Sequence, residues 1–356
     1  MPSDIIVLGV LFEDLYYESN FYEECAKLLA SKIFNFIKYN PDDLTKKVLE
    51  KIFLKGINEI SIQNDGWSYF KRGGNGSSIS EILIRNDIPT KLISIIRRKG
   101  EWIVDELDKI GVDTTSIIRS DEILPIRIIV TSNHGNKILL GPNPLHQWSI
   151  DEDLLEDYKL PQFKLIFCAS LSNSFIKILE NGSKLGLLTA FSIEDENFDL
   201  FEQFRKKLNS RHDILFIHIK DLSVILKEDI FVEQIDKKYK EYAKIRVYKS
   251  GKKGTLIKTD KLNLNFSSVL EANEIFLLSS EEYFQGGFLS KFFELINNKK
   301  LLNEMLSEKN KDNLKAVLVK CDKFATHLIH FKTLHQYIPN KKELEEFITN
   351  FKYKDD

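Results

Sequence analysis

Short apolar runs of strand length alternate with longer amphipathic stretches along most of this chain. The runs are almost entirely aliphatic, as expected for strands that are buried on both faces of a parallel sheet. They lie at Ile5–Val10, Leu92–Ile96, Leu165–Cys168, Leu187–Ala190, Ile214–Ile217 and Ile245–Tyr248. Helical periodicity occurs between several of them, at Gly76–Arg85, Glu101–Ile110, Asn173–Leu179 and Leu200–Leu208. This alternation predicts an α/β fold with a mostly parallel central sheet flanked by helices.

Two regions depart from this rhythm. In the first, strand-like segments with polar turns between them predict a small antiparallel β lid, with strands at about 57–72 and 123–141. These segments are Glu59–Ile62, Trp67–Phe70, Ile126–Val130 and Lys137–Leu140. In the second, about 18–56, two amphipathic helices separated at Asn40–Asp43 predict an N-terminal helical insertion, because Pro41 followed by two acids is a typical helix start.

The helical insertion carries an apolar stripe at helical spacing, formed by Leu28, Leu29, Ile33, Phe34 and Ile37. Two interpretations remain open for this stripe. It packs onto its own domain, or it forms an interface in a homodimer or with another partner. The lid is a second candidate for a homodimer interface. The C-terminal third is predicted to be helical, at Glu281–Asn297, Leu301–Leu306, Asp312–Ile329 and Lys341–Phe351.

Composition and charge exclude several classes of protein. The 356 residues are 43% hydrophobic and 29% charged, which fits one globular domain spanning 1–356. Lysine plus arginine (51) nearly balances aspartate plus glutamate (53), so we expect no nucleic-acid partner. Cys25, Cys168 and Cys321 are too far apart for a CxxC metal site or a disulfide framework. We expect no membrane span and no signal peptide, and therefore a cytoplasmic protein.

Six short segments, in chain order, resemble the ribokinase-like (PfkB) carbohydrate kinases. The first strand is followed by Gly9 and then Asp14, and Gly73–Ser78 is a Gly-Gly segment before a helix. The others are Leu107–Thr114, Lys249–Gly254, Gly286–Leu289 and Ile338–Asn340. The resemblance runs from Asp4 to about Ile348, with the helical insertion left out. It implies a ribokinase-like α/β fold.

The resemblance also implies an activity and a set of site residues. Such kinases transfer the γ-phosphoryl group of ATP, with Mg²⁺, to a hydroxyl of a sugar, nucleoside or similar small molecule. In this chain, Glu282 corresponds to the catalytic base and Asp221 to a metal-binding residue. Substrate contacts are implied for Asp14, Gly73, Gly74 and Asn75. Nucleotide contacts are implied for Lys249, Gly251, Gly254, Ser279, Ser280 and Glu281.

The catalytic turn departs from the family pattern. Where these kinases have Gly-Ala-Gly-Asp, this chain has Ser279-Ser280-Glu281-Glu282, without either glycine. Two carboxylates at a helix N-terminus oppose a triphosphate unless a cation lies between them. Ser279 and Glu282 also fit a capping box that needs no chemistry. The sequence therefore predicts either a kinase that uses Glu282, or a catalytically impaired pseudokinase that binds or senses a small molecule.

Other polar residues have similar double interpretations. His218-Ile219-Lys220-Asp221 replaces the family's Asn-x-x-Glu, so His218 is either a site residue or a structural strand-end histidine. Lys249 replaces a threonine and either contacts phosphate or is solvated. Gly251 and Gly254 fit a turn under either function. His327 and His330 are spaced for one helix face but have no nearby carboxylate or cysteine at ligand spacing, so the sequence argues against a metal site there.

Overall fold

The computed structural model describes residues 3–18, 21–39, 45, 47–52, 67–120, 127–131, 137–140, 160–193, 201, 205–218, 235–249, 254–267 and 280–351. The chain forms two compact units. The first comprises Met1–Leu11, Gly73–Leu124 and Asn143–Asp356, and the second comprises Phe12–Arg72 and Pro125–Pro142. In the described ranges, no helix combines the length and the apolar character that a bilayer span requires.

The strands and helices follow in chain order. The strands are β1 Ile5–Leu8, β2 Phe12–Glu18, β3 Trp67–Gly73, β4 Thr90–Arg97, β5 Asp113–Ser120, β6 Arg127–Thr131, β7 Lys137–Leu140, β8 Leu165–Cys168, β9 Leu188–Ile193, β10 His212–His218, β11 Ala243–Lys249, β12 Thr255–Lys258 and β13 Asn263–Phe266. The helices are α1 Phe21–Tyr39, α2 Asn75–Arg85, α3 Glu101–Lys109, α4 Asn173–Lys184, α5 Ser280–Leu295, α6 Lys299–Met305, α7 Lys311–His335 and α8 Lys341–Asn350.

The first unit is built on a nine-stranded sheet with the order β13-β12-β11-β10-β9-β8-β1-β4-β5. All pairs from β11 to β5 are parallel, which confirms the predicted mostly parallel central sheet. The last two strands, β12 and β13, run antiparallel and extend the sheet at one edge. The six predicted central strands all lie in this sheet, while β5, β12 and β13 were not predicted.

Both faces of the nine-stranded sheet are buried. Ile5 and Val7 of β1 join a core with apolar residues of α2, α3, α5 and α7, while Ile6 and Leu8 join a second core with residues of α4. Because successive side chains of a strand point to opposite faces, only a continuous apolar run can fill both cores. This is why the apolar runs of the sequence identified the central strands.

Two adjacent glycines allow α5 to lie close to its neighbours. A Cβ added to Gly286 would lie 2.9 Å from side-chain atoms of Ile82 in α2, and one added to Gly287 would lie 2.9 Å from the backbone Cα of Ala325 in α7. Contacts this short do not occur for real Cβ atoms, so larger residues would separate the helices. Helix packing therefore accounts for these glycines without a ligand.

The second unit contains a four-stranded sheet with the order β3-β2-β6-β7. The β6–β7 hairpin is antiparallel, as expected for the small sheet. Strand β2 was not predicted, and it pairs in parallel with β6. Helix α1 and a further helical segment at 47–52 lie in the predicted helical insertion, while Pro41 and the predicted strand Glu59–Ile62 lie outside the described residues. On α1, Phe34 is 68% exposed and Ile37 is 39% exposed.

Candidate functional site

The carboxyl ends of β10 and β11 and the start of α5 carry the polar residues of a candidate site. β10 ends at His218 and β11 at Lys249, and these two residues are paired in register. Ligands of open α/β sheets bind beyond the carboxyl ends of the strands, and the N-terminus of a following helix favours anions. We call this edge of the sheet the carboxyl edge. It is the expected location of a ligand-binding site in the first unit.

His218 is bound to an acid in the first turn of α5. Its Nδ1 lies 3.0 Å from Oε1 of Glu281, and the side chains are 8% and 19% exposed, respectively. Glu281 and the half-buried Glu282 are both in the first turn, where carboxylates stabilise the helix dipole. The position that would attract a phosphate thus already holds two carboxylates, and Glu281 is paired with His218 within the protein.

Lys249 points to partners within the fold. Its Nζ lies 3.4 Å from Oγ1 of Thr255, the residue opposite it in β12, and 4.9 Å from the ring centroid of Phe284 in α5. Burial lowers the pKa of Lys249, and the negative charge of Asp322 in α7 opposes this shift. The lysine is therefore held by Thr255 and the Phe284 ring in a poorly solvated position.

Asp322 completes this cluster from the middle of α7. It is 6% exposed, and its Oδ1 has no hydrogen-bond partner among the described residues. Burial raises the pKa of Asp322 to about 6, although a hydrogen bond from Thr255 and the charge of Lys249 act in the opposite direction. A carboxyl with this pKa is partly protonated near neutral pH.

These residues do not fit the phosphates of a nucleotide. A triphosphate needs backbone N–H groups, positive potential and cations around it. In the described residues, the first turn of α5 presents two carboxylates and the nearby lysine is directed to Thr255 and Phe284. No group of three or more His, Cys, Asp or Glu in the described ranges is arranged to hold a metal ion. Asp221, Gly251 and Ser279 lie outside the described residues.

Asn75 joins the ends of two strands to the start of α2. Its Oδ1 accepts hydrogen bonds from the backbone N–H of Val10 at 3.1 Å and from Oγ of Ser170 at 2.9 Å. Its Nδ2 donates to the carbonyl oxygen of Ala169 at 2.9 Å. Asn75 is 6% exposed, so these bonds give this asparagine a structural role at the corner that follows β1 and β8. Its predicted contact with a substrate stays a prediction.

The glycine before Asn75 is required by the backbone. Gly74 has φ +94°, and a Cβ at this position would lie 2.2 Å from the carbonyl oxygen of Val10. Gly73 ends β3, so the pair forms the tight corner that leads into α2. Gly254, with φ +91°, immediately precedes β12. Its predicted role in a turn stays a prediction, because residues 250–253 lie outside the described residues.

Asp14 lies in the second unit, in the middle of β2. Its Oδ1 and Oδ2 accept hydrogen bonds from Nε and Nη2 of Arg127, each at 2.7 Å, and Asp14 is 3% exposed. The guanidinium also lies 4.0 Å from the ring centroid of Phe12. The two charged residues are opposite each other in the β2–β6 register. The carboxylate predicted to hold a substrate is thus already engaged by an arginine that sequence reasoning did not single out.

Three further polar residues, the two histidines of α7 and a serine before α4, have structural roles. His327 and His330 pack their rings on Phe351 with centroid distances of 5.0 Å and 4.9 Å, and Nδ1 of His327 lies 2.7 Å from the carbonyl oxygen of Lys323. Burial lowers the pKa of His327. Oγ of Ser172 accepts a hydrogen bond from the N–H of Phe175 and caps α4.

Several solved structures are similar to this chain along its whole length, although no family model and no curated protein sequence matches it. Ribokinase from Giardia lamblia has a TM-score of 0.69 at 15% identity, covering 98% of this chain and 100% of that one. Ribokinase from Arabidopsis thaliana, solved with ribose and ATP, has a TM-score of 0.65 at 14% identity, with 99% and 100% covered. Adenosine kinase from Sinorhizobium meliloti has a TM-score of 0.60 at 12% identity, with 94% and 95% covered.

The fold is therefore that of the ribokinase-like kinases, as the order of short motifs predicted. At 12% to 15% identity, these structures establish the architecture alone. What the chain does must be argued from its own residues.

Proposed function

We propose that this chain is a ribokinase-fold protein that binds a small hydroxylated compound, such as a sugar or nucleoside, without transferring phosphate to it. The observation that carries this proposal is the pair formed by His218 and Glu281, 3.0 Å apart, at the first turn of α5. It makes the pseudokinase alternative the better supported of the two functions predicted from the sequence.

The electrostatic argument is direct. A helix N-terminus binds an anion because its unpaired N–H groups and dipole are positive, and acids in the first turn cancel that potential. Each carboxylate near a triphosphate adds a repulsion that only an intervening cation removes. In the described part of the edge, the basic side chains already have partners within the protein: His218 lies 3.0 Å from Glu281, and Lys249 contacts Thr255 and the Phe284 ring.

The class of ligand follows from the fold. Structures that match the full chain include a ribokinase solved with ribose and ATP and an adenosine kinase. Their names point to sugars and nucleosides, and we extend only that class of small hydroxylated molecule to this chain.

A thermal-shift experiment tests the proposal. D-ribose, adenosine and related sugars and nucleosides at millimolar concentration should include a ligand that raises the melting temperature, while Mg·ATP should not. A rise with Mg·ATP, together with a phosphorylated product detected by ³¹P NMR, would overturn the proposal. A flat response to every sugar and nucleoside would also count against it, because it leaves no hydroxylated ligand.

The kinase alternative keeps one observation in its favour. Glu282 is half-buried beside Glu281 in the first turn, at the position that corresponds to the catalytic base. If the chain is a kinase, Glu282→Gln should abolish product formation while ligand-induced stabilisation remains. Glu294→Gln, on the same helix and 36% exposed, is the matched control and should leave turnover unchanged.

The predicted homodimer can be tested with the same purified protein. The exposed Phe34 and Ile37 of α1 are the surface that such an interface would use. Light scattering of the full chain and of a Phe34→Ser, Ile37→Ser variant distinguishes the two interpretations of the stripe, because only an interface would make the variant smaller.

A further inference from the structure

Lys249 is a half-buried lysine whose direct contacts are neutral groups. Its Nζ lies 3.4 Å from Oγ1 of Thr255 and 4.9 Å from the ring centroid of Phe284. Within the described ranges it forms no ion pair with a carboxylate, and the negative charge of Asp322 acts on it without direct contact. A lysine that is poorly solvated and not paired with an acid loses its proton more easily, which makes its amine a nucleophile.

Lys291 of α5 provides a comparison within the same protein. Lys291 is also half-buried and also lies over a phenylalanine ring, with Nζ 5.5 Å from the ring centroid of Phe324. Unlike Lys249, it donates to Oε1 of Glu294 at 2.8 Å. A carboxylate at this distance favours the ammonium form of a lysine. Among the described residues, the two lysines thus differ in their acid partner rather than in their burial.

An acid is connected to the Lys249 amine through a hydroxyl. The side chain of Thr255 contacts Nζ of Lys249 and makes a hydrogen bond with the carboxyl of Asp322. Asp322 is 6% exposed, and its Oδ1 has no hydrogen-bond partner among the described residues. Burial of this kind favours the protonated carboxyl. Because a hydroxyl both donates and accepts hydrogen bonds, Thr255 can pass a proton from Asp322 towards the amine.

A neutral amine next to a protonated acid is suited to condensation with a carbonyl compound. The amine attacks the carbonyl carbon, and an acid protonates the hydroxyl that must leave as water. Lys249 ends β11, at the carboxyl edge where small molecules bind in open α/β sheets. The chemistry and the location therefore point to the same class of ligand, a small carbonyl compound.

We infer that Lys249 forms a reversible imine with a small aldehyde, such as the open-chain form of an aldose, and that Asp322 supplies a proton through Thr255. Nζ forms a bond to the aldehyde carbon, and one amine proton moves to the aldehyde oxygen to give a carbinolamine. The C–O bond then breaks, and the hydroxyl leaves as water with a proton from Thr255, which Asp322 reprotonates. The products are a protonated imine and the Asp322 carboxylate, whose opposite charges attract each other.

Reductive trapping tests the inference. The full chain is incubated at pH 7 with glycolaldehyde and sodium cyanoborohydride, which reduces an imine to a stable secondary amine, and peptide mass spectrometry follows each lysine with time. Lys249 should be modified about tenfold faster than Lys291, because only the neutral amine attacks the aldehyde. Lys342, which is 85% exposed, reports the rate of a solvated lysine, and Lys249 should exceed it as well.

Two variants distinguish proton transfer from a simple effect of charge. Asp322→Asn should slow the trapping of Lys249 by about tenfold or more and leave that of Lys291 unchanged. A purely electrostatic role has the opposite sign, because loss of the negative charge leaves more Lys249 neutral and speeds the reaction. Thr255→Val should also slow the reaction, while Thr255→Ser, which keeps the hydroxyl, should react like the natural chain.

Equal rates at Lys249, Lys291 and Lys342 would overturn the inference. A rate at Lys249 that Asp322→Asn raises or leaves unchanged would also overturn it. If Asp322→Asn did not fold, the comparison of Thr255→Val with Thr255→Ser would decide instead, and equal rates in these two variants would contradict the inference. The inference does not rest on the proposed function, because trapping is measured without a sugar or nucleoside, and a flat thermal-shift response to those compounds would leave its result unchanged.

Discussion

Strand β10 has a histidine paired with a glutamate at each end, and the two pairs differ in their surroundings. At the amino edge, the edge of the nine-stranded sheet where β10 and β11 begin, His212 is fully buried, with Nε2 3.0 Å from Glu180 and Nδ1 3.2 Å from Thr189. Glu180 also accepts hydrogen bonds from the N–H groups of Asn209 and Ser210 and from Oγ of Ser210. At the carboxyl edge, Glu281 is 19% exposed at a helix start.

The difference separates a structural histidine–glutamate pair from one at a candidate site. Burial would raise the pKa of Glu180, but its hydrogen bonds with His212 and Ser210 outweigh that effect and lower the pKa to about 2. The charged form is therefore fixed by the fold. The pair at the carboxyl edge lies where ligands bind in open α/β sheets, and its glutamate is partly exposed. The same two residue types thus form a buried structural pair at one end of β10 and a partly exposed pair at the other.

The largest effect should come from breaking the amino-edge pair. Glu180→Ala leaves the buried His212 and two backbone N–H groups without their acceptor, so the free energy of unfolding at pH 7 should fall by about 3 kcal/mol. Urea denaturation measures the change. Because the folded pKa of Glu180 lies below its ordinary value, this contribution is present above about pH 4.5 and is lost as the pH falls towards 2.

The matched control for this prediction is Glu346→Ala on α8. Glu346 pairs with Lys342 at 3.8 Å and is 63% exposed, so its removal should not change the unfolding free energy measurably. If Glu180→Ala lowers the free energy of unfolding no more than this control, the amino-edge pair does not stabilise the fold and the comparison between the two pairs fails.

A medium effect is expected from Asp322 at the carboxyl edge. Its pKa in the folded state, about 6, lies above its ordinary value, so the carboxyl contributes stability at low pH that is lost as the pH rises through 6. Between pH 4.5 and pH 7 this loss amounts to about 2 kcal/mol. Asp322→Asn should remove it. Urea denaturation of the natural chain and of Asp322→Asn at several pH values measures this difference. If the two free energies of unfolding change in the same way between pH 4.5 and pH 7, the carboxyl does not titrate in this range and the prediction is wrong.

The smallest effect should come from the carboxyl-edge pair itself. Glu281→Gln should lower the free energy of unfolding by about 1 kcal/mol, because the pair is partly exposed. A double-mutant cycle with His218→Asn gives the coupling energy of the pair. A coupling as large as that between Glu180 and His212 would mean that both pairs are structural, and would remove the basis for placing function at His218.

The sequence identified the main architecture but not the strands with charged or mixed patterns. The six apolar runs of the central sheet and the C-terminal helices were predicted because a strand buried on both faces and an amphipathic helix each leave a clear period. β2 was missed because Asp14 and Glu18 interrupt its apolar residues, and β13 because Asn263 and Asn265 alternate with apolar ones. In such strands tertiary pairing decides the conformation.

The candidate site was predictable in part. The motif order placed His218, Lys249 and the α5 acids in one region, and the register of β10 with β11 confirms that His218 and Lys249 are neighbours. Thr255 and Asp322 were not predicted, since their roles depend on contacts between distant segments. Arg127 was missed for the same reason: only the pairing of β2 with β6 brings it opposite Asp14.

The antiparallel hairpin that closes one side of the large sheet also bears on solubility. β13 has only four residues, and its exposed positions are Asn263 and Asn265. A short border strand with amide side chains offers little surface for pairing with a second molecule, and this limits edge-to-edge aggregation. Replacing both asparagines with valine should make this edge strand more prone to pair with a second molecule. The variant should then form aggregates that sediment at protein concentrations where the natural chain does not.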